Sequence, residues 1–457
     1  MSRRAGDGRR GGSGALGAAG ALAALALGVA LVPSPPPTPA ALHGATILTD
    51  PTWPEVAPVV YERCAGCHYP GGSGPFSLLT WEEASSRAPR IERALRSGHM
   101  PPWLPDSDGT MYVGSRVLPD AERRLLLDWL DAGAPAGELS AAPPPPETGS
   151  DWALGPPDLV VELPEFVAPA EGTDIYRNLV VPIPVQGERW VRAVDLQPGN
   201  ARVVHHARMM VDYTTSSEVA DQEDEVPGFD GMDVRTNASN PPGHFVGWTP
   251  GKRLLPPQEG MPWRVDAGTD LVAQLHLRLT GEEEWIQGQV GFYFADAPPT
   301  EYPAVLIISS MEIDIPPGAS DYRVSNSFTL PVPVEVLSVY PHAHYLGKEM
   351  TVTATRPDGR EVELLHIPDW DFDWQDEYRL VEPVRLPAGT VILKEFSYDN
   401  SAANPDNPND PPRRVVFGSN SSDEMGDLVL QVLPGSPEDR ERLLQAQAWQ
   451  HDAEDMA

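Results

Sequence analysis

From residue 155 onward, apolar and polar positions alternate with a period of two. The runs "DLVVELPEFVA", "NLVVPIPV", "TDLVAQLHLRLTG", "GQVGFYFAD", "EVLSVYPHAH", "RRVVFGSN" and "DLVLQVLP" all follow it, with turn residues between them. On a strand this period sends one set of side chains inward and the other toward water. Short strands divided by turns predict all-β sandwiches over 156–300 and 301–440. The 40 glycines and 52 prolines exceed the ~12% that these residues usually make up together, which again favours strands and turns. Before residue 140 the period changes. In "LPDAERRLLLDWLDAGAP", Leu126, Trp129 and Leu130 recur at helical spacing and Gly133 marks the stop. A small all-α domain over 46–140 is therefore expected, joined by a Pro-rich linker over 141–155.

Composition adds location and partners. "MSRRAGDGRRGGSG" is basic, Ala15 to Val32 carries no charge, and "PSPPPTPA" follows. That order predicts a signal peptide or membrane anchor within 1–45, with cleavage near Ala40 in the first case and residues 15–32 as the anchor in the second. The protein is then periplasmic or secreted. The formal charge of -33 argues against nucleic acid and anionic lipid surfaces as partners. Residues 441–457 read as an acidic tail.

The two cysteines stand in "YERCAGCHYPGGSGPF" as Cys-x-x-Cys-His. Zinc would need a further ligand pair, and no other cysteine exists to form one. Covalent haem attachment uses all three residues, with Cys64 and Cys67 as thioethers and His68 as an iron ligand. It also leaves no cysteine for a structural disulfide. Met100 in "LRSGHMPPWLP" is the expected sixth ligand, with His99 and Met111 as competitors. The sequence of CxxCH, helix, Met loop and final helix resembles a class I cytochrome c domain.

Five of the eleven histidines carry the remaining chemistry. His342 and His344, two apart on a strand, share a face and can grip one ion. Gln274 and His276 share a face in the same way. His205 and His206 are adjacent, so a regular strand sends them to opposite sides. Both reach one metal only where the strand ends or bulges. Imidazole clusters suit copper and zinc alike.

The motifs "VVHHARMM", "GWTPG", "QLHLRLTG", "PHAHYLGKEM" and "NSSDEMGDLVL" occur in an order that resembles the copper type II, ascorbate-dependent monooxygenases, the family of the peptidylglycine- and dopamine-hydroxylating enzymes. The resemblance covers roughly residues 155–435 and implies two consecutive jelly-roll sandwiches. It implies an electron-storing copper on His205, His206 and His276, and a catalytic copper on His342, His344 and Met425, where dioxygen reacts. A thioether beside two imidazoles favours Cu(I). In the peptide-hydroxylating branch an arginine and a tyrosine bind the substrate carboxylate; the matching positions here are Tyr340 and Val429. A small aromatic or apolar substrate is expected instead. The whole chain then reads as a two-copper monooxygenase that hydroxylates a C–H bond with O2. Its tethered haem c passes electrons from an external donor, ascorbate or a redox protein. The alternatives are an extracytoplasmic haem and copper electron-transfer or copper-binding protein that does not turn over, and a zinc-bound sandwich serving as a structural module.

Overall fold

A computed structural model describes residues 50–455 except 108, 148–151, 173, 233 and 253; for 451–455 it describes the backbone alone. The expected signal or anchor, residues 1–45, lies outside the described residues. None of the described helices is long and apolar enough to cross a membrane.

Antiparallel sheet is the main regular structure of the described chain. In the first sandwich one sheet runs Phe229–Asp230, Ile175–Pro182, Asp270–Leu277, Val204–Asp212, Val246–Trp248, and the other Leu159–Glu162, Gln289–Ala295, Arg189–Gln197, Trp263–Val265. Leu179, Ala207, Met209, Val211, Leu271, Ala273 and Leu275 close against Val191, Leu196, Val290 and Phe292 to form one dry core. The second sandwich stacks Ala304–Ser309, Asp427–Pro434, Val334–His342, Tyr378–Leu386 on Tyr322–Thr329, Val391–Tyr398, Gly347–Thr355, Glu361–Ile367. Leu306, Val336, Val339, Val352, Ile392, Phe396, Leu428 and Leu430 fill its core. Every alternating run but one contains or overlaps one of these strands, because burying one side of each sheet is what the period-two pattern requires; the exception, "RRVVFGSN", holds the short strand Val415–Val416, paired with Asp314–Ile315. The described part of the expected acidic tail, residues 441–457, belongs to a helix, Pro437–Asp455, that inserts Leu443 into the second core.

Four helices precede the sandwiches: Trp53–Arg63, Trp81–Ser86, Ala88–Ser97 and Asp120–Asp131. Glu83 and Thr80 cap the second reciprocally, at 3.0 and 3.2 Å, which satisfies two backbone donors that a helix start leaves open. Gly98 and Gly133 end the third and fourth with φ of 77° and 85°, a conformation that glycine adopts without strain. Trp53, Val56, Val60, Leu95, Leu126, Trp129 and Leu130 form their common core. Arg63 donates to both oxygens of Glu122, at 2.8 and 3.1 Å, and so clips the first helix to the last.

Between the third and fourth helices, residues 103–106 and 111–113 leave this core and lie across the second sandwich, forming a strap. Trp103, Leu104, Met111 and Tyr112 pack on its core. Tyr112 donates to Leu364 O at 2.9 Å, Asp106 N to His366 O and Val113 N to Arg379 O, each at 2.8 Å. The strap has no periodicity, so the pattern of the sequence did not reveal it.

At the end of the inner sheet of the first sandwich, Asp212 and Asp270 stand opposite each other. Burial resists ionisation of Asp212, but hydrogen bonds from Ser217, Thr214 and Ser216 outweigh it and hold the carboxyl below its usual range. Asp270 is pushed up to about 6 by burial and by the charges of Glu218 and Asp212. The folded protein therefore takes up a proton at Asp270 that the unfolded chain gives up near pH 4, and stability falls as pH rises from about 4 to 6. Asp270→Asn should raise stability at pH 7 by on the order of 1–2 kcal/mol, and the gain should vanish by about pH 4. Urea unfolding at the two pH values measures this; an equal gain at both would mean that charge is not the cause.

Candidate functional site

The histidine pair resolves its conflict with a bulge. The strand Val204–Asp212 is in register with Asp270–Leu277, but the register slips between Val204 and His206. The extra residue lets His205 turn to the side of His206, as a bulge does. His206 stands directly opposite His276. The Nδ1 atoms of His205 and His206 are 3.1 Å apart, and those of His206 and His276 are 3.4 Å apart. One ligand nitrogen from each ring falls within 4.8 Å of the others. The outer nitrogens of two rings meet carboxylates: Asp174 Oδ1 is 3.0 Å from His276 Nε2, and Asp373 Oδ1 is 3.3 Å from His205 Nε2. A carboxylate on the far nitrogen fixes ring and tautomer and makes the near nitrogen a stronger donor. Tyr176 stacks on His276 at 4.2 Å, only 3° from parallel.

His342 ends the strand Val334–His342, and His344 follows it. The two rings are 5.2 Å apart. Here the bound nitrogen is Nδ1 in both. His342 Nδ1 lies 2.6 Å from Gln375 Oε1, and His344 Nδ1 lies 3.2 Å from Asp423 O. The Nε2 atoms are left for a ligand. Met425 comes 81 residues after His344 in the chain; it is buried, and its backbone is tied to that of His344 through Glu424. The Glu424 carboxylate accepts from Leu346 N at 3.0 Å, from Met425 N at 2.9 Å and, closer still, from His344 N. Complete burial pushes Glu424 up to about 8 against the pull of these bonds.

Burial is the main force on four of the five rings. It lowers the pKa of His206 far below the usual imidazole value, brings His344 to about 3, and lowers His276 and His342. The charges of the neighbouring histidines add to it across both clusters. These rings are neutral at pH 7, the form in which imidazole binds metals. Gln274 is excluded from this chemistry: its amide donates to Asn178 Oδ1 and Met232 O, at 3.0 and 2.9 Å.

One segment, Trp370–Asp376, touches both clusters and the helices. Trp370 Nε1 donates to His344 O at 3.2 Å. The Phe372 ring stacks on His205 at 4.8 Å and stands edge-on to His344 at 5.7 Å. Asp373 also pairs with Arg278 at 3.0 Å. Trp374 meets His99 at 6.2 Å, and Gln375 holds His342. Arg116 pairs with Asp376. The sequence reading passed over "DWDFDWQD", whose clustered aromatics and carboxylates between two strands were the available signal.

Cys64, Cys67 and His68 line a cavity of about 1080 Å³, at the upper end of cofactor sites. His68 Nδ1 lies 3.0 Å from Phe76 O, leaving Nε2 for an iron ligand bond. A side chain at Gly74 would begin 2.6 Å from the His68 ring, so the ring lies flat against bare backbone. Burial and the second thiol push Cys64 up to about 12. His99 and Met100 line the cavity; Met111 packs on the second sandwich instead. The opposite wall belongs to the sandwiches: Asn200, Arg202, Val204, His205, Arg278, Asp373 and Trp374. A haem fits the volume, the thiol pair and the free nitrogen.

Asp174 crosses between the sandwiches. It accepts from Ser421 N at 3.0 Å, in the loop that carries Met425, as well as meeting His276. Burial would raise its pKa, but the bonds from His276 and Ser421 bring it to about 2. Asp174→Asn should weaken metal binding at the three-histidine cluster by roughly 10–100-fold and leave the HxH pair loaded. Competitive titration with a copper chelator reads both sites; unchanged affinity at the first would deny Asp174 this role.

Comparison with known proteins identifies no family. No family model matches the chain, and no curated protein does. Among solved structures, the chain is similar to the infectious bursal disease virus Gx strain structure at 9% identity, covering 62% of this chain and 74% of that one, with a TM-score of 0.18. It is similar to PNGF-II at 12% identity, 59% and 61% coverage and a TM-score of 0.21. For a xanthan lyase of Paenibacillus the figures are 11%, 63%, 27% and 0.17. Scores this low establish no common fold.

Proposed function

We propose that this protein is an extracytoplasmic copper-dependent monooxygenase that hydroxylates a C–H bond of a small organic substrate with O2, its electrons arriving through a covalently bound haem. On this reading the four helices form a class I cytochrome c-like domain and the two sandwiches are jelly rolls of the copper type II monooxygenase kind. The observation that carries it is the pair of histidine clusters with opposite ring orientations. His205, His206 and His276 turn Nδ1 inward, while His342 and His344 have Nδ1 engaged and Nε2 to offer. Two sites built so differently suit two tasks.

Copper supplies one-electron steps and a centre for dioxygen chemistry, and haem supplies single electrons. The protein's own part is positional. Asp174 and Asp373 hold His276 and His205 in place. Gln375, the Asp423 carbonyl and Glu424 orient His342, His344 and the Met425 backbone. Phe76 O fixes His68. His205 belongs both to the three-histidine cluster and to the wall of the haem-sized cavity, so it would stand between a haem held by Cys64, Cys67 and His68 and a copper held by the cluster.

The test is metal and haem quantification on protein matured with copper in an oxidising compartment. Two coppers and one haem per chain are expected, with O2 uptake coupled to a hydroxylated product. Met425→Ile should keep copper at the first site and stop turnover. Copper and haem without product would make the chain an electron carrier or a copper-binding protein, and zinc in place of copper would end the redox reading.

A further inference from the structure

Arg208 is a cation without a counter-ion in a strongly acidic chain. Acidic residues outnumber Lys and Arg by 66 to 33, so an arginine near the middle of the molecule ordinarily finds a carboxylate. Among the described residues Arg208 forms no ion pair. Its one side-chain hydrogen bond runs from Nε to Asn240 Oδ1, at 2.9 Å. The terminal nitrogens, which form the fork that recognises planar anions, have no partner among those residues. Burial draws its pKa down, and the Tyr340 hydroxyl is the only group that opposes it.

Its place is as telling as its isolation. Arg208 lies two residues after His206 on the same strand, hence on the same face. Across the sheet Gln274 stands on one side of it and Gly247 on the other, so one flank is free of any side chain. The guanidinium lies over the Phe245 ring at 5.7 Å, and that ring packs on Tyr340 of the second sandwich at 4.7 Å. Tyr340 lies two residues before His342 on its strand and is paired with Val429. Arg208, Phe245 and Tyr340 are each half-buried, neither sealed in the core nor free in solvent. They stand one strand step from both histidine clusters, where the two sandwiches meet.

We infer that Arg208 binds the carboxylate of the substrate, and that the substrate class is a small aromatic or apolar carboxylic acid whose body lies along Phe245 and Tyr340. The inference rests on the function proposed above and adds the recognition group. It also revises the expectation drawn from Tyr340 and Val429. Those positions supply no cation, but the first sandwich does, and the half-buried Tyr340 ring suits the rest of the molecule. A guanidinium held by Asn240 through Nε is oriented in advance, so little freedom is lost when its free edge takes a carboxylate.

Calorimetric titration of the full-length protein tests this, with and without copper, using benzoate, the neutral isostere benzamide, and inorganic phosphate. Benzoate should bind, while benzamide and phosphate should bind far more weakly. Arg208→Gln should weaken benzoate by roughly ten- to a hundredfold, and Arg208→Lys, which keeps the charge but not the fork, should recover only part of the loss. Circular dichroism and copper content of the variants should match the parent, which separates loss of recognition from loss of fold. Equal benzoate affinity in the parent and in Arg208→Gln would overturn the assignment, as would equal binding of benzamide or a preference for phosphate. Benzoate binding that depends on Arg208 in a protein that takes up no copper would uphold the anion site and sink the monooxygenase reading.

Discussion

Reoxidation of the reduced haem in the absence of oxygen should slow by more than about a hundredfold when His206 is changed to alanine, because even the outer partners of a metal ligand are worth roughly 10–100-fold in metal affinity. His206 is the central ring of its cluster, within 3.1 Å of one neighbour's Nδ1 and 3.4 Å of the other's. Without it the remaining two rings are 5.3 Å apart between centroids, and no third ligand closes the site. The electron from the cavity then has no acceptor at His205. Stopped-flow absorbance of the haem, with copper loaded and oxygen excluded, follows this one step. His344→Ala serves as the comparison. It disturbs the second cluster and should leave the first electron transfer intact. If haem reoxidises equally fast in copper-free protein, the helices deliver electrons elsewhere.

Loss of either thiol should remove the haemochrome of a haem held by two thioethers. In the parent, denatured protein should retain its haem through extraction in acid acetone and give a c-type pyridine haemochrome. Cys67→Ala, and separately Cys64→Ala, should remove the signal expected of two thioethers. The chain has only these two cysteines and neither is in a disulfide, so no other thiol can replace the lost bond. Met100→Ala should leave attachment intact and lower the potential, since a thioether ligand raises it. Normal attachment with an unchanged potential would transfer the ligand role to His99, the other sulfur or nitrogen donor of that stretch lining the cavity.

Much of this arrangement was legible residue by residue. The strands were, because a face that must be buried repeats every second residue. The helix around Leu126, Trp129 and Leu130 was, for the equivalent reason at helical spacing. The histidine pair carried an explicit geometric condition, and the bulge between Val204 and His206 meets it. What escaped lacked a period. The strap is held by single backbone hydrogen bonds and by Trp103 and Tyr112 packing on Tyr378, far away in sequence. Asp174 lies over 100 residues from His276 and over 200 from Ser421, and no local rule links them. Arg208 was within reach: it follows His206 by two, and the strand rule places both on one face. Its lack of a counter-ion, however, is a fact of three dimensions.

The segment Trp370–Asp376 bears on how substitutions will combine. It holds contacts to His99, His205, His342 and His344 within seven consecutive residues. Changes at positions far apart in the sequence therefore share a backbone support, and their free energies will not add as those of independent sites do. A double-mutant cycle between His99 and His342, which belong to different sites, should show coupling that disappears when Trp374 and Gln375 are both reduced to alanine. Genetically, then, the cavity beside Cys64 and His68 and the two histidine clusters should vary as a single unit, a substitution tolerated in one of them setting which substitutions the other two can accept.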